Sequence, residues 1–221
     1  MKKYAIIVAG GSGSRMQSSI PKQFMMLKEK PVLYYTLDVF LRSYADMNIV
    51  LVLPEEYIAT GQEIIDAYFN YDRIKITTGG RTRFHSVQNG LKLVEGESIV
   101  LVHDAVRCLL DVSLIHSCYE AAFEFGAVVP AIACKDSVRI INEDGSNESV
   151  ERRHVRLVQT PQAFLSTILI PAYSIDYKDR FTDEATVVEA FGMKVKLIEG
   201  DERNIKITRP EDLELANLLM Q

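Results

Sequence analysis

Tyr4-Ala5-Ile6-Ile7-Val8-Ala9-Gly10-Gly11-Ser12-Gly13-Ser14-Arg15-Met16, closed a few residues later by Pro21-Lys22-Gln23, is the stretch around which the chain is organised. Its first part, 4–8, is an apolar run that reads as a buried strand. Three glycines within four positions let the backbone fold tightly and bring its N–H groups close to a ligand, because no Cβ intervenes. N–H groups presented this way attract phosphate. Arg15 adds a side chain that grips two phosphate oxygens at once, and Lys22 adds a mobile point charge. The chemistry points to a loop that binds a nucleoside triphosphate. The competing reading is a plain flexible turn, since glycine-rich turns are common. Two better-known loops do not fit. A dinucleotide fingerprint needs a third small residue where Met16 stands, and a G-x-x-x-x-G-K-[ST] loop is absent because Lys22 follows a proline.

The 221 residues are enough for a single α/β domain with a full core, expected to span 1–221. A net charge of −5 argues against a general nucleic-acid surface, so phosphate binding must come from locally placed cations. No apolar run is long enough for a membrane span. The start, Met1-Lys2-Lys3-Tyr4, runs directly into a strand and lacks the apolar region and cleavage site of a secretory signal. Cys108, Cys118 and Cys134 are odd in number and far apart, which fits free thiols in a reducing cytoplasm. The four histidines show no metal-ligand spacing.

Strand and helix patterns alternate along the chain. Pro31 opens a helix with Leu33, Leu37, Phe40 and Leu41 on one face. A strand is expected over 48–53, a helix from Pro54-Glu55-Glu56, and a strand over 74–77. A helix over 84–94, a strand over 98–103, a helix over 112–125 and a strand over 127–133 follow. This implies an α/β fold: a Rossmann-like, mostly parallel sheet with helices on both faces. Ligands in such sheets bind beyond the carboxyl ends of strands, where the glycine loop, Gly79-Gly80-Arg81 and His103-Asp104 all fall. The alternation breaks after Cys134. Segments 137–141 and 148–158 look extended around Asn142-Glu143-Asp144-Gly145-Ser146-Asn147, a protruding β-hairpin arm inserted at about 136–158. A lone hairpin is marginal in water and gains most by packing on a second subunit; the alternative is an arm folded onto its own domain. A helix is expected over 164–175, a helix capped by Thr182-Asp183-Glu184 up to Phe191, and a strand over 194–198. Thr208-Arg209-Pro210-Glu211 reads as a capping box opening the last helix.

Several residues are candidates for chemistry. Gly79-Gly80-Arg81-Thr82-Arg83-Phe84-His85-Ser86-Val87 is either a strand–helix turn or a pocket that reads a base through its backbone, with the Ser86 hydroxyl added. Asp104 is either a turn residue or, in a phosphate cleft, a group that positions a substrate hydroxyl or sits near magnesium; Arg107 would face a second phosphate. Arg152, within Glu151-Arg152-Arg153 on the arm, is either solvated or reaches a neighbouring subunit's site. Gln159-Thr160-Pro161-Gln162 could be a simple capped turn. Lys206, between Ile205 and Ile207, faces solvent by simple alternation, or else supplies a third cation to the triphosphate.

The glycine loop with Pro21-Lys22-Gln23 resembles the nucleotide-binding signature of nucleotidyltransferases that join a sugar or polyol phosphate to a nucleoside triphosphate. With His85-Ser86-Val87, Gly90-Leu91, Val102-His103-Asp104-Ala105, Gln159-Thr160-Pro161-Gln162, Thr182-Asp183-Glu184-Ala185 and Asn204-Ile205-Lys206-Ile207-Thr208-Arg209-Pro210-Glu211-Asp212, nearly the whole chain resembles the 2-C-methyl-D-erythritol 4-phosphate cytidylyltransferase family. The resemblance implies a cytoplasmic homodimer with an exchanged β-arm. It also implies a Mg²⁺-dependent reaction of CTP with a polyol phosphate in the non-mevalonate isoprenoid pathway. It assigns Arg15 and Lys22 to the triphosphate transition state, and Arg152 from the partner's arm and Lys206 to positioning methylerythritol phosphate. Ala9, Gly10, Gly11, Gly13, Gly80, Arg81, Ser86 and Ala105 match nucleotide contacts; Asp104, Arg107, Thr160 and Thr182 match the second substrate's. Which protein groups hold the metal is left open. Val106 and Cys108 stand where alanine and proline are frequent in the family, and Arg81 where some members carry an acid. Ribitol-5-phosphate cytidylyltransferase shares the fold and the CTP chemistry; Arg209-Pro210-Glu211-Asp212 and His85-Ser86-Val87 favour the methylerythritol enzyme. A nicotinamide oxidoreductase is disfavoured by Met16 and Leu53-Pro54. A non-catalytic nucleotide sensor is disfavoured by the presence of Arg15, Lys22 and Lys206.

Overall fold

A computed structural model of the chain describes residues 1–10, 20–69 and 72–220. The opening strand β1 (Lys2–Val8) precedes the glycine loop. A short 3₁₀ turn at Lys22–Phe24 then leads into a small antiparallel pair, β2 (Met26–Leu27) and β3 (Lys30–Pro31). Next come α1 (Val32–Ser43), β4 (Met47–Leu53), α2 (Ile58–Tyr68), β5 (Ile74–Thr78), α3 (Arg83–Leu91), β6 (Ser98–Asp104), α4 (Val112–Phe125) and β7 (Ala127–Ala133). Buried parallel strands are apolar on both faces, which is why these read so clearly in sequence. Ile6 and Val50 pack on one side of the sheet, with Val87 and Phe164; Ile7 and Leu51 pack on the other, with Leu33, Phe40 and Ile115. Helix α4 starts where the Asp111 carboxylate accepts from the Ser113 N–H at 2.8 Å, and stops at Gly126, whose φ of +82° suits glycine.

The arm is the antiparallel pair β8 (Val138–Ile141) and β9 (Asn147–Val150), a separate two-stranded sheet. The extended run expected over 148–158 is broken. A 3₁₀ turn at Arg152–His154 ends the arm, and β10 (Arg156–Val158) returns to the main sheet, antiparallel to β7. The helix expected over 164–175 is also corrected. Its first residues belong to β11 (Gln162–Leu165), which lies antiparallel between β6 and β7, and only Ser166–Ala172 forms the helix, α5. Phe164 is fully buried as a sheet residue rather than as a helix residue. Helix α6 (Glu184–Ala190), strand β12 (Lys196–Glu199) and helix α7 (Pro210–Leu219) complete the chain. Asp183 caps α6 through the Thr186 N–H at 3.0 Å. At α7 the carboxylate that reaches back is Asp212, not Glu211: it accepts from the N–H groups of Thr208 and Arg209 at 2.7 and 2.8 Å.

The eight-stranded sheet runs β10-β7-β11-β6-β1-β4-β5, with β12 parallel to β7. The strands β6, β1, β4 and β5 are mutually parallel, and their ends are level: Val8 is opposite both Asp104 and Val52, and Val52 is opposite Thr77. From β1 the chain adds β4 and β5 on one side, then crosses to β6 on the other. A crevice opens beyond the carboxyl ends at such a switch point.

Candidate active site

That crevice is a cavity of about 330 Å³. It is lined by the end of β1 and the start of the glycine loop (Val8, Ala9, Gly10), by Lys22 and Gln23, by Gly80 to Arg83 with Ser86, by Asp104 and Val106, and by Lys206. Strand-end hydrogen bonds hold these segments at one level: the Ala9 N–H donates to Val52 O, Ala105 N–H to Val8 O, and Gly79 N–H to Leu53 O at 2.7 Å. The buried Gln23 amide donates to the Ala9 carbonyl oxygen at 2.8 Å, tying the segment after the glycine loop back to its start.

The second glycine turn is shaped by Ser86. Its hydroxyl accepts from the Gly80 N–H at 3.0 Å and donates to the Thr82 carbonyl oxygen at 3.0 Å. A Cβ on Gly80 would stand 2.4 Å from the His85 Cβ, so this position admits only glycine without a shift of the turn. Arg81 is exposed at the cavity mouth, with its Nε donating to His85 Nε2 at 3.3 Å.

Asp104, the last residue of β6, is 8% exposed and sits among three cations. Arg83 Nε lies 3.2 Å from Oδ1; Lys206 Nζ lies 2.7 Å and Arg107 Nε 3.9 Å from Oδ2. Burial pushes its carboxyl pKa up, but Arg83, Lys206 and Arg107 outweigh that and hold it well below the usual carboxylate range. Lys206 therefore reaches the cavity with a half-buried side chain. It lies outside any regular strand, on a segment pinned by side chains. Buried Gln159 exchanges hydrogen bonds with both backbone groups of Asp201, Asn204 Nδ2 donates to the Thr160 carbonyl oxygen at 2.8 Å, and the Ile207 N–H donates to Val106 O.

Asp104 is supported from behind. Its N–H donates to the Thr160 hydroxyl at 3.1 Å, and that hydroxyl meets His103 Nδ1 at 3.0 Å. His103 Nε2 faces the Arg107 carbonyl oxygen at 3.2 Å, and a carbonyl only accepts. The proton is therefore on Nε2, and Nδ1 accepts from Thr160. Burial holds the His103 pKa down at about 3, so the ring is neutral.

A family model for 2-C-methyl-D-erythritol 4-phosphate cytidylyltransferase, IspD, matches residues 4–221. The chain belongs to this family. It is 46% identical to the 2-C-methyl-D-erythritol 4-phosphate cytidylyltransferase of Phocaeicola vulgatus and 43% identical to that of Bacteroides thetaiotaomicron, with 100% of both chains covered in each case. Among solved structures, the 4-diphosphocytidyl-2C-methyl-D-erythritol synthase of Anaerococcus prevotii superposes with a TM-score of 0.86 at 32% identity, covering 100% of this chain and 96% of that one.

Of the residues the cytidylyltransferase resemblance singled out, Ala9, Gly10, Lys22, Gly80, Arg81, Ser86, Asp104 and Lys206 line the one cavity. Ala105 is buried between two lining residues. Arg107 lies behind Asp104, its Nη1 donating to the Asn204 carbonyl oxygen at 2.7 Å. Thr160 is buried beneath Asp104, and Thr182 is exposed just before α6, away from the described cavity wall. Arg152 is exposed at the foot of the arm, donating to the Lys135 carbonyl oxygen, and is not part of the cavity wall. Gly11, Gly13 and Arg15 lie outside the described residues. Sequence reasoning attached no role to Arg83 and missed the buried Glu184 that holds it. The one local sign was an acid just inside the first turn of a helix, which a capping role already explains.

The donors here do not fit a divalent ion held by protein side chains. Among the described residues, no group of three or more His, Cys, Asp or Glu side chains is arranged around a common point. Asp104, the carboxylate of the cavity wall, already has both oxygens engaged by cations.

Proposed function

We propose that the cavity joins CTP to 2-C-methyl-D-erythritol 4-phosphate, giving 4-diphosphocytidyl-2-C-methyl-D-erythritol and pyrophosphate. Membership of the family makes the chain a CTP-dependent cytidylyltransferase of isoprenoid synthesis. The observation that carries the residue-level reading is the convergence of two lysines, the start of the glycine loop, the Gly80 turn and one held carboxylate on a single crevice at the switch point of the sheet. An oxygen of the methylerythritol phosphate attacks the α-phosphorus of CTP in line, and the bond to the β-phosphate bridging oxygen breaks. The nucleophile is already an anion, so no general base is required. The obstacle is bringing two polyanions together, which positioned cations overcome.

In this reading Ala9, Gly10, Gly11 and Gly13 with Arg15 and Lys22 take the triphosphate, and Gly80, Arg81, Ser86 and Ala105 take the cytidine. Ser86 acts chiefly by holding the Gly80 turn, where the hydrogen bonds above already commit it. Asp104 takes a substrate hydroxyl. Lys206, Arg107 and Thr182 serve the methylerythritol phosphate, and Thr160 serves it from beneath by holding the Asp104 N–H. The Arg107 assignment is supported by its buried Nε, which makes no hydrogen bond among the described residues. Magnesium enters as part of the substrate, MgCTP, carried by the nucleotide's own phosphates.

The chain is read as one domain, 1–221, with an arm at about 136–158. The arm packs on a second copy of the chain, and Arg152 enters that partner's cavity. Exposed apolar side chains on the hairpin (Ile140 at 49%, Ile141 at 68%) and on β10 support this. No helix among the described residues is long and apolar enough to cross a membrane. The test is pyrophosphate release from each of CTP, UTP, ATP and GTP with methylerythritol phosphate present or absent. Release from CTP alone, and only with the polyol phosphate, is the expected result. Equal release from all four nucleotides would contradict the assignment of the Gly80 turn.

A further inference from the structure

Three cations face the two oxygens of Asp104, Arg83 on Oδ1 and Lys206 and Arg107 on Oδ2. This division follows from what holds Arg83. Arg83, on α3, touches Asp104 only through Nε. Its two terminal nitrogens are clamped by Glu184 of α6, Nη1 on Oε1 and Nη2 on Oε2, the latter at 3.0 Å. Glu184 is 0% exposed, and its Oε1 also accepts from the Tyr173 hydroxyl at 3.1 Å. The Tyr173 ring stacks on Phe84, the residue after Arg83, with centroids 4.7 Å apart. A guanidinium fork prefers a bidentate grip on a carboxylate. Two carboxylates are within reach of this one, and Glu184 takes the fork.

We propose that Glu184 is a positioning residue for the polyol phosphate. By occupying the Arg83 fork it leaves only Nε for Asp104 Oδ1, so that Oδ2 stays turned toward Lys206 and the incoming substrate. With the Glu184 charge removed, the Arg83 fork turns onto Asp104. Oδ2 is drawn from Lys206, and the substrate's hydroxyl loses its acceptor. This inference rests on the reading that Asp104 and Lys206 serve the polyol phosphate rather than the nucleotide. A merely structural pair would lock α6 to α3 without choosing between substrates.

The experiment compares wild type, Glu184→Gln, Asp104→Asn and the double variant, with CTP and methylerythritol phosphate each varied in turn and thermal melts recorded alongside. Glu184→Gln is expected to raise KM for methylerythritol phosphate tenfold or more and to leave KM for CTP within twofold, whatever it does to the melting temperature. The double variant is expected to be no worse than Asp104→Asn alone, because both changes act on one carboxylate. Tyr173→Phe removes one hydrogen bond from Glu184 and keeps every charge, so it carries the test if Glu184→Gln does not fold; a two- to fivefold rise in the same KM is expected. Equal effects on both KM values, a lowered melting temperature with unchanged kinetics, or losses that multiply in the double variant would overturn the proposal. A wild type that does not use methylerythritol phosphate would overturn the functional reading as well. An active wild type with kinetically silent Glu184→Gln and Tyr173→Phe overturns this inference alone.

Discussion

Mild acid should weaken this fold through one imidazole. His103 is 0% exposed, and burial holds its pKa at about 3 against an ordinary 6.5. Its Nδ1 accepts from the Thr160 hydroxyl, whose oxygen already accepts from the Asp104 N–H. A second proton on the ring would leave the Thr160 hydrogen facing a donor. The folded pKa is below the unfolded one, so the unfolded chain binds more protons as pH falls. The stability linked to this group is therefore fully present above 6.5 and is lost as pH falls toward the folded value of about 3. With those two pKa values the loss between pH 7.5 and pH 5 is about 2 kcal/mol. Urea unfolding at pH 7.5, 6 and 5, followed by circular dichroism, measures it. His103→Gln retains one donor and one acceptor but cannot titrate, so it should lose about 2 kcal/mol less than wild type across the window, whatever its stability at pH 7.5. Parallel pH dependences for the two proteins would refute the reasoning. They would show that the folded chain accommodates the charged ring as readily as the unfolded chain does.

Lys22→Ala should lower turnover about a hundredfold or more, the scale of one lost electrostatic contact in a transition state, while its melting temperature moves little. Comparable losses of turnover and stability would remove its catalytic assignment. Gly80→Ala puts a Cβ 2.4 Å from the His85 Cβ and 2.9 Å from the His85 carbonyl carbon. The turn must move by about 1 Å, and kcat/KM for CTP should fall about ten- to a hundredfold; an unchanged value would mean that this backbone does not touch the nucleotide. Mixing Lys22→Ala chains with Arg152→Ala chains should restore activity that neither has alone, because one site of each mixed dimer would hold both intact residues. No restoration on mixing, after subunit exchange has been verified, would confine Arg152 to its own chain or remove it from the site.

The strands that build the crevice were legible because a parallel strand covered on both faces is continuously apolar, as in β1, β4 and β6. Helix α4 was legible over 112–125, and the structure sets its ends with the Asp111 cap and Gly126. What escaped reading depends on distant partners. Four-residue β11 looked like the start of the next helix, since its strand character comes from pairing with β6 and β7 rather than from its own composition. The run 148–158 was split by the Arg152–His154 turn, which no glycine or proline announces. Alternation sent Lys206 to solvent, but alternation holds only for a strand, and Gln159 and Asn204 pin this segment otherwise. The glycine turns, Lys22 and Asp104 could be found from local chemistry. The Arg83–Glu184 pair, 101 residues apart in sequence, could not.

The most direct test of the central claim is pyrophosphate release from MgCTP with methylerythritol 4-phosphate and ribitol 5-phosphate assayed side by side. Strong turnover with methylerythritol phosphate and little with ribitol phosphate is the result this account predicts. Turnover with ribitol phosphate instead would leave the fold and the CTP chemistry standing but contradict the assigned substrate, and silence with both would contradict the catalytic reading of the cavity.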